Sequence, residues 1–370
     1  PFLLMEIFIS VFFITYLALH LYFLKGLRIS TTLEKFSLKN PPSVSLIVAA
    51  KNEKDVIARC IQSLKEIKYE GTLEIILVND KSDDNTKEIM IKESQGDSRI
   101  KVIDSNRTET SNLKGKANAL DTAIRLCRGE IVITTDADCT VQSEWVKSMS
   151  SYYDTSTAMV NGFTTIDTNQ KLFDKLQALD FIYLLSLASS SCGIGRILSC
   201  IGNNISFRKD IYMQLGGFEK IGFSVTEDLA LMRAIDSIKN VKIKFPTDDR
   251  NVVTSQPCAD LRALFNQKKR WFRGGLGIRP FGYITGIELY IANLYLLTGI
   301  FFTPPAFYFT MVGIKFVSEL ILLIPLLKIY KSTGLLKYFI HFQIYFALYG
   351  LLLPFTFVLG NKIKWKGRKY

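Results

Sequence analysis

Residues 2 to 24 form one apolar run broken only by Glu6, and a bilayer core of about 30 Å needs about 20 such residues as a helix. The run therefore predicts a spanning anchor. It is longer than the ~7–15-residue apolar segment of a secretory leader, and no small-x-small cleavage pattern follows it. Further apolar stretches at 284–303, 306–327 and 338–359 predict two to three C-terminal crossings, with Pro304-Pro305 and Pro325 marking breaks or kinks. Lys315 and Glu319, four apart, would share one helix face and neutralise each other within the bilayer.

Between the anchors the pattern changes to short β-branched runs alternating with amphipathic stretches. Strands are expected at 44–50, 73–78, 100–103 and 130–135, and helices at about 54–66, 84–94 and 115–127. Continuous apolar strands separated by helices predict a mostly parallel sheet covered on both faces. Ligands bind at the carboxyl ends of such strands. Lys51-Asn52-Glu53, Asn79-Asp80 and Asp136-Ala137-Asp138 lie at those ends. Beyond residue 165 the alternation fails, and a largely apolar stretch at about 171–190, carrying Asp174, Lys175 and Asp180, reads as an amphipathic helix on the membrane or the core. The division expected is 1–25 anchor, 26–280 cytosolic α/β domain with interfacial helices, and 281–370 C-terminal helices with a basic tail.

Composition narrows the class. The chain of 370 residues is 48% hydrophobic yet 22% charged, with 46 Lys+Arg against 34 Asp+Glu for a net charge of +12. Basic residues cluster beside the apolar runs: Lys25, Arg28, Lys35 and Lys39 after the first, then Lys268, Lys269, Arg270, Arg273 and Arg279 before the second. By the positive-inside tendency both flanks, and the domain between them, face the cytoplasm. Membrane lipids, and no nucleic acid, are then the expected partners of this charge. Three C-terminal crossings would leave the tail 362–369 on the opposite side, against the same rule. The six cysteines show no metal spacing and read as small apolar fillers.

Candidate chemistry is carboxylate chemistry, because the only histidines, His20 and His341, lie in apolar runs and no Ser-His or Cys-His pair is available to the domain. Asp136-x-Asp138 after a strand suits Mg²⁺ or Mn²⁺, typically held by one or two carboxylates plus substrate phosphates; two solvated loop acids are the competing reading. Asp80 begins a segment like a calcium loop, but Asn85 and Ile91 stand where Gly and Glu are required. Asp83 or Asp84 is expected to cap the next helix. Lys114-Gly115-Lys116 opens a helix, where a diphosphate is favoured, although a solvated lysine run would look the same. Thr226-Glu227-Asp228 reads alone as a helix cap with dipole compensation. Gln267, Arg270 and Trp271, at i, i+3 and i+4, would share a face of a basic helix that could be an interfacial anchor or could present a ring and a guanidinium to a substrate.

The ordered set of Asn52-Glu53, Asp80, Lys116, Asp136-x-Asp138, Thr226-Glu227-Asp228 and Gln267-x-x-Arg270-Trp271 resembles the membrane-bound family 2 glycosyltransferases, whose catalytic domain has the GT-A fold. The likeness covers roughly 44–275 and the flanking helices. It implies that Asp80 contacts the nucleobase, that Lys116 contacts the diphosphate, and that Ala50, Asn52 and Glu53 complete the nucleotide-sugar site. Asp136 and Asp138 would hold the metal and donor. Asp228 would deprotonate the acceptor, and Glu227, Gln267, Arg270 and Trp271 would line the acceptor and diphosphate end. Gly202-Asn203-Asn204 with Phe207-Arg208 looks like the segment preceding the acceptor site. Where many members carry Pro-Thr-Tyr-Asn-Glu, this chain has Ala49-Ala50-Lys51-Asn52-Glu53, without the hydroxyl and the ring near the base.

The resemblance implies an inverting transfer from a nucleotide-sugar, a UDP-sugar in the first instance, to a hydroxyl of a lipid or lipid-linked acceptor at the cytoplasmic face of a bacterial inner membrane. A processive polysaccharide synthase is the close alternative. A catalytically silent nucleotide-binding membrane protein is the remote one. The few spans leave little protein for a polymer channel, which favours the lipid acceptor.

Overall fold

The computed structural model describes residues 2–36, 39–106, 113–168, 171–222 and 224–357, together with the backbone of 364–365 and 368–369. Two compact units emerge: Thr32–Asp167 with Ser199–Gln256 and Lys364–Tyr370, and Pro1–Thr31 with Thr168–Leu198 and Pro257–Ile363.

The first is the sheet unit. Its strands are β1 (Val44–Ala50), β2 (Leu73–Asn79), β3 (Ile100–Asp104), β4 (Ile131–Asp136), β5 (Thr157–Asn161), β6 (Thr164–Ile166), β7 (Ile205–Arg208), β8 (Lys242–Lys244) and β9 (Val253–Ser255). Seven of them form one sheet in the order β3-β2-β1-β4-β7-β5-β8, and β6 pairs with β9 separately. The first four are mutually parallel, as the apolar runs predict, and β7 pairs antiparallel with both β4 and β5.

Both faces of the parallel half are buried. Leu46, Val48, Ile75 and Leu77 join a core with Ile57, Cys60, Ile61 and Leu64, whose i, i+3, i+4, i+7 spacing turns one face of helix Ile57–Lys65 onto the sheet. The alternate residues Ile47, Ile76 and Val78 are also buried, and helix Lys116–Leu126 packs on β1 and β2. The four predicted strands and three helices are present within a few residues of their expected limits. The first helix starts later than its pattern suggests because Asn52 takes a left-handed φ of 54° and a backbone turn closes from Val56 N to Glu53 O at 3.0 Å.

The second unit is helical. Four segments are long and apolar enough to cross a membrane: Phe2–Thr31, Pro280–Phe301, Pro305–Ile329 and Thr333–Thr356, so the anchor and three C-terminal segments match the expected spans. Pro305 opens its helix at a position where its missing N–H costs nothing. Pro325 lies inside that helix without ending it. Lys315 and Glu319 pair at 2.7 Å as their spacing predicts. Of the tail 362–369, only four residues have a described backbone, as two short antiparallel strands; the side on which it lies falls outside the described residues.

The helix Leu172–Gly193 corrects an expectation. It is not amphipathic: its buried residues surround the axis and include Asp174, Gln177, Asp180 and Ser189–Ser191. The reason is close packing by small residues. A Cβ on Gly26 would run into the Ser190 carbonyl, and one on Gly193 into the Gly26 carbonyl. Ser30 Oγ donates to Ser189 O at 2.9 Å across the same crossing.

Candidate active site

The strand register brings the polar ends of the parallel strands to one edge of the sheet unit. Ala50 pairs with Asn79, Asn79 with Asp104, and Ala49 with Asp136. Asp80, 5% exposed, is anchored by its own N–H to Ala50 O at 2.8 Å, and Ser105 Oγ donates to its carboxylate at 3.1 Å. Asn52 and Glu53 act locally on the neighbouring loop. The Asn52 side chain accepts from Asp83 N at 2.8 Å, its N–H donates to Ser82 Oγ at 3.1 Å, and Glu53 N–H donates to Thr86 Oγ1 at 2.8 Å. The cap position of the next helix falls on Asn85, which makes no side-chain cap bond, and not on either expected acid; Asp84, just before it, accepts from Thr86 N at 3.0 Å.

At the end of β4 the chain gathers charge from far apart in sequence. Lys116, opening its helix after Gly115 (φ 62°), places Nζ 2.5 Å from Asp136 Oδ1 and 3.3 Å from Glu227 Oε1. Burial acts to lower the Lys116 pKa, but Asp136, then Glu227, with Asp228 further out, more than reverse it and the ammonium is held well above its usual range. Glu227 and Asp228 start helix Glu227–Asp236. Thr226 holds the cap position without a side-chain cap bond; its N–H is instead bonded by Ser224 Oγ at 3.1 Å. Asp228 lies against Gly202, where an added Cβ would stand 2.9 Å from Oδ2, and the Gly202 carbonyl accepts from Thr134 Oγ1 at 3.1 Å. Through Thr134, two residues before Asp136, Asp228 is tied to the strand that carries Asp136.

Asp138 is the more enclosed member of the carboxylate pair. Ser255 Oγ donates to its Oδ2 at 3.4 Å and the Cys139 thiol to Oδ1 at 3.5 Å. Burial first, and then the charge of Asp136, raise its pKa above the ordinary carboxylate value. Arg59 reaches the Asp138 carbonyl at 3.5 Å and Asp167 at 3.1 Å. Among the described residues no group of three or more His, Cys, Asp or Glu side chains forms a metal cage.

Asn203 and Asn204 are internal ties. Asn203 accepts from Thr164 Oγ1 at 2.7 Å, and Asn204 accepts from Trp145 Nε1 at 3.1 Å and donates to Phe163 O and Asn251 O. Arg208 is spent on the Thr157 and Asp154 carbonyls. Of that segment Gly202 touches the acidic cluster at Asp228. Ser255, which reaches the Asp138 carboxylate, and Arg59, which reaches its main-chain carbonyl, carry no spacing signal in the sequence, since each acts through a long-range contact.

Gln267, Arg270 and Trp271 belong to the helical unit, on Leu261–Gly274. Trp271 meets Phe181 edge-on, ring centroids 5.3 Å apart. The buried charge on this helix is Lys268, paired with Asp180.

A mostly parallel mixed sheet with acidic strand ends defines a GT-A-like domain. The chain matches the model of Glycosyl transferase family 2 over residues 45–216 and that of Glycosyl transferase family group 2 over residues 131–359, more than half its length. It belongs to the family 2 glycosyltransferases. Among curated proteins it is 25% identical over 237 residues to a beta-monoglucosyldiacylglycerol synthase of Trichormus variabilis, covering 63% of this chain and 49% of the relative. It is 24% identical over 273 residues to a poly-beta-1,6-N-acetyl-D-glucosamine synthase of Staphylococcus aureus, covering 73% and 63%. The chain thus spans about half to just under two thirds of these relatives. Among solved structures, a mannosyltransferase from Pyrobaculum calidifontis in complex with GDP-Man and Mn²⁺ shares the fold, with a TM-score of 0.55 at 17% identity over 94% of this chain and 99% of that one.

Proposed function

We propose that this protein is an inverting glycosyltransferase that moves a sugar from a nucleotide-sugar, a UDP-sugar first, to a hydroxyl of a lipid or lipid-linked acceptor at the cytoplasmic face of a membrane. The observation that carries this reading is the meeting of Lys116, Asp136 and Glu227, with Asp228 beside Gly202, at the carboxyl edge of a parallel sheet. In the proposed site Asp80 meets the nucleobase from the adjoining strand end, beside Ala50, Asn52 and Glu53, and the Lys116 ammonium meets the diphosphate. Asp228 accepts the proton of the attacking hydroxyl, assistance usually worth ~10²–10⁴ in rate. Gln267, Arg270 and Trp271 serve the acceptor and the donor phosphates.

Asp136 and Asp138 suit a hard divalent ion. Both offer oxygen, and burial first, then the neighbouring Asp136 charge, disfavours a bare Asp138 carboxylate, which a cation would relieve. Mg²⁺ or Mn²⁺ there, its other ligands phosphate oxygens and water, would neutralise charge on the departing diphosphate. The solved mannosyltransferase complex holds GDP-Man with Mn²⁺, which supports this choice.

The lipid acceptor draws support from the glucosyldiacylglycerol synthase relative. A processive synthase is the second reading, favoured by the poly-N-acetylglucosamine synthase relative. Membranes containing the protein, incubated with labelled UDP-glucose or UDP-N-acetylglucosamine and dioleoylglycerol vesicles, decide between them. Label in the organic phase is expected; label only in aqueous high-mass material would establish the polymer reading, and no UDP release with either donor would end both.

A further inference from the structure

Of the two lysines between the expected Gln267 and Arg270, Lys268 is the one that the helical unit buries. Lys268 is 2% exposed on its side chain, and its ammonium pairs with the fully buried carboxylate of Asp180. Three rings enclose it: Trp271 at 4.5 Å, Tyr349 at 5.1 Å and Phe181 at 5.4 Å from Nζ to the centroids. Tyr349 OH donates to the same Asp180 carboxylate at 2.5 Å. One carboxylate thereby joins three helices, Leu172–Gly193, Leu261–Gly274 and Phe339–Leu352.

We infer that Lys268 and Asp180 are positioning residues that set the ring of Trp271 for acceptor binding. Lys268 is too enclosed to touch an acceptor, so it acts through Trp271, which is only partly buried. An ammonium over an indole face is attracted by the ring quadrupole, more strongly when desolvated. Here the ammonium is fixed in place by Asp180 and Tyr349, and the edge-on contact with Phe181 limits rotation of the indole. Removing the cation frees the ring without removing any group at its exposed edge. The link to acceptor binding rests on the proposed role of Trp271; the link from Lys268 to the ring does not.

The test separates the two, using the full-length protein in detergent. In a form whose only tryptophan is Trp271 (Trp145→Phe, Trp365→Phe), the double change Lys268→Met with Asp180→Asn removes both charges together, so neither is left buried alone, while the Asn still accepts from Tyr349. Acrylamide quenching of Trp271 is expected to rise about twofold, and Lys268→Arg, which keeps a cation over the ring, to restore it; unchanged quenching in the double variant overturns the inference. With UDP-glucose and dioleoylglycerol in phosphatidylcholine vesicles, the double variant should raise KM for dioleoylglycerol about tenfold and leave KM for UDP-glucose unchanged, the signature of a small misplacement. A Trp271→Ala protein with unaltered KM for dioleoylglycerol would instead remove Trp271 from the acceptor site, while the quenching result would still decide whether Lys268 holds the ring.

Discussion

Two lysine clusters, one in each unit, show how the same chemistry serves different ends. Lys315 is fully buried against Glu319 at 2.7 Å and Gln343 Oε1 at 2.5 Å; Gln343 donates to Glu319 at 2.5 Å and Tyr16 OH donates to it at 2.7 Å. Ammonium and carboxylate balance, and both Glu319 oxygens accept. Lys116 instead faces Asp136, Glu227 and Asp228, and the Asp136 side chain stays 35% exposed. One cluster is closed and neutral; the other is open and carries excess negative charge. A closed balance leaves no charge to offer a ligand, whereas an open excess of carboxylate suits the cation proposed for this edge.

The largest effect should come from the open cluster. Asp228→Asn is expected to lower turnover about 10²–10⁴-fold while UDP binding by calorimetry persists; unchanged turnover would remove Asp228 as the base. The closed cluster should answer in stability. Glu319→Leu leaves a buried ammonium without its carboxylate and should cost about 3–5 kcal/mol, read as a lower unfolding temperature in detergent. The paired change Lys315→Met with Glu319→Leu should recover most of that loss. If the single change were harmless, the contrast between the clusters would collapse.

Smaller effects sharpen the contrast. Lys116→Met removes the cation proposed for the diphosphate and should weaken UDP binding about 10–100-fold, the scale of a charged hydrogen bond. Gly202→Ala puts a methyl 2.9 Å from Asp228 Oδ2, and the displaced carboxylate should lower kcat about tenfold with little change in donor KM. An unaltered kcat would mean that Asp228 need not sit where Gly202 allows it.

Much of this was legible without coordinates. Strand and span patterns are local, so β1 to β4, the anchor and the Lys315–Glu319 pair could be read directly from spacing. The acidic strand ends followed from the same periodicity, because a parallel strand delivers its last residue to the ligand edge. The apolar content and scattered acids of helix Leu172–Gly193 suit an interfacial helix equally well; only its tertiary packing, with Gly26 against Ser190, buries residues around most of its axis.

The amino-acid order by itself determined the first four strands with the helices between them, the segments long and apolar enough to span a membrane, and the carboxylate-rich edge, since these depend on neighbours within a few residues. Tertiary structure alone decided that Lys116 pairs with Glu227, that Gly202 makes room for Asp228, and that Lys268 rather than Arg270 is the buried cation of its helix. Those outcomes depend on where distant segments return, and a side chain's partner across such a distance leaves no period in the sequence.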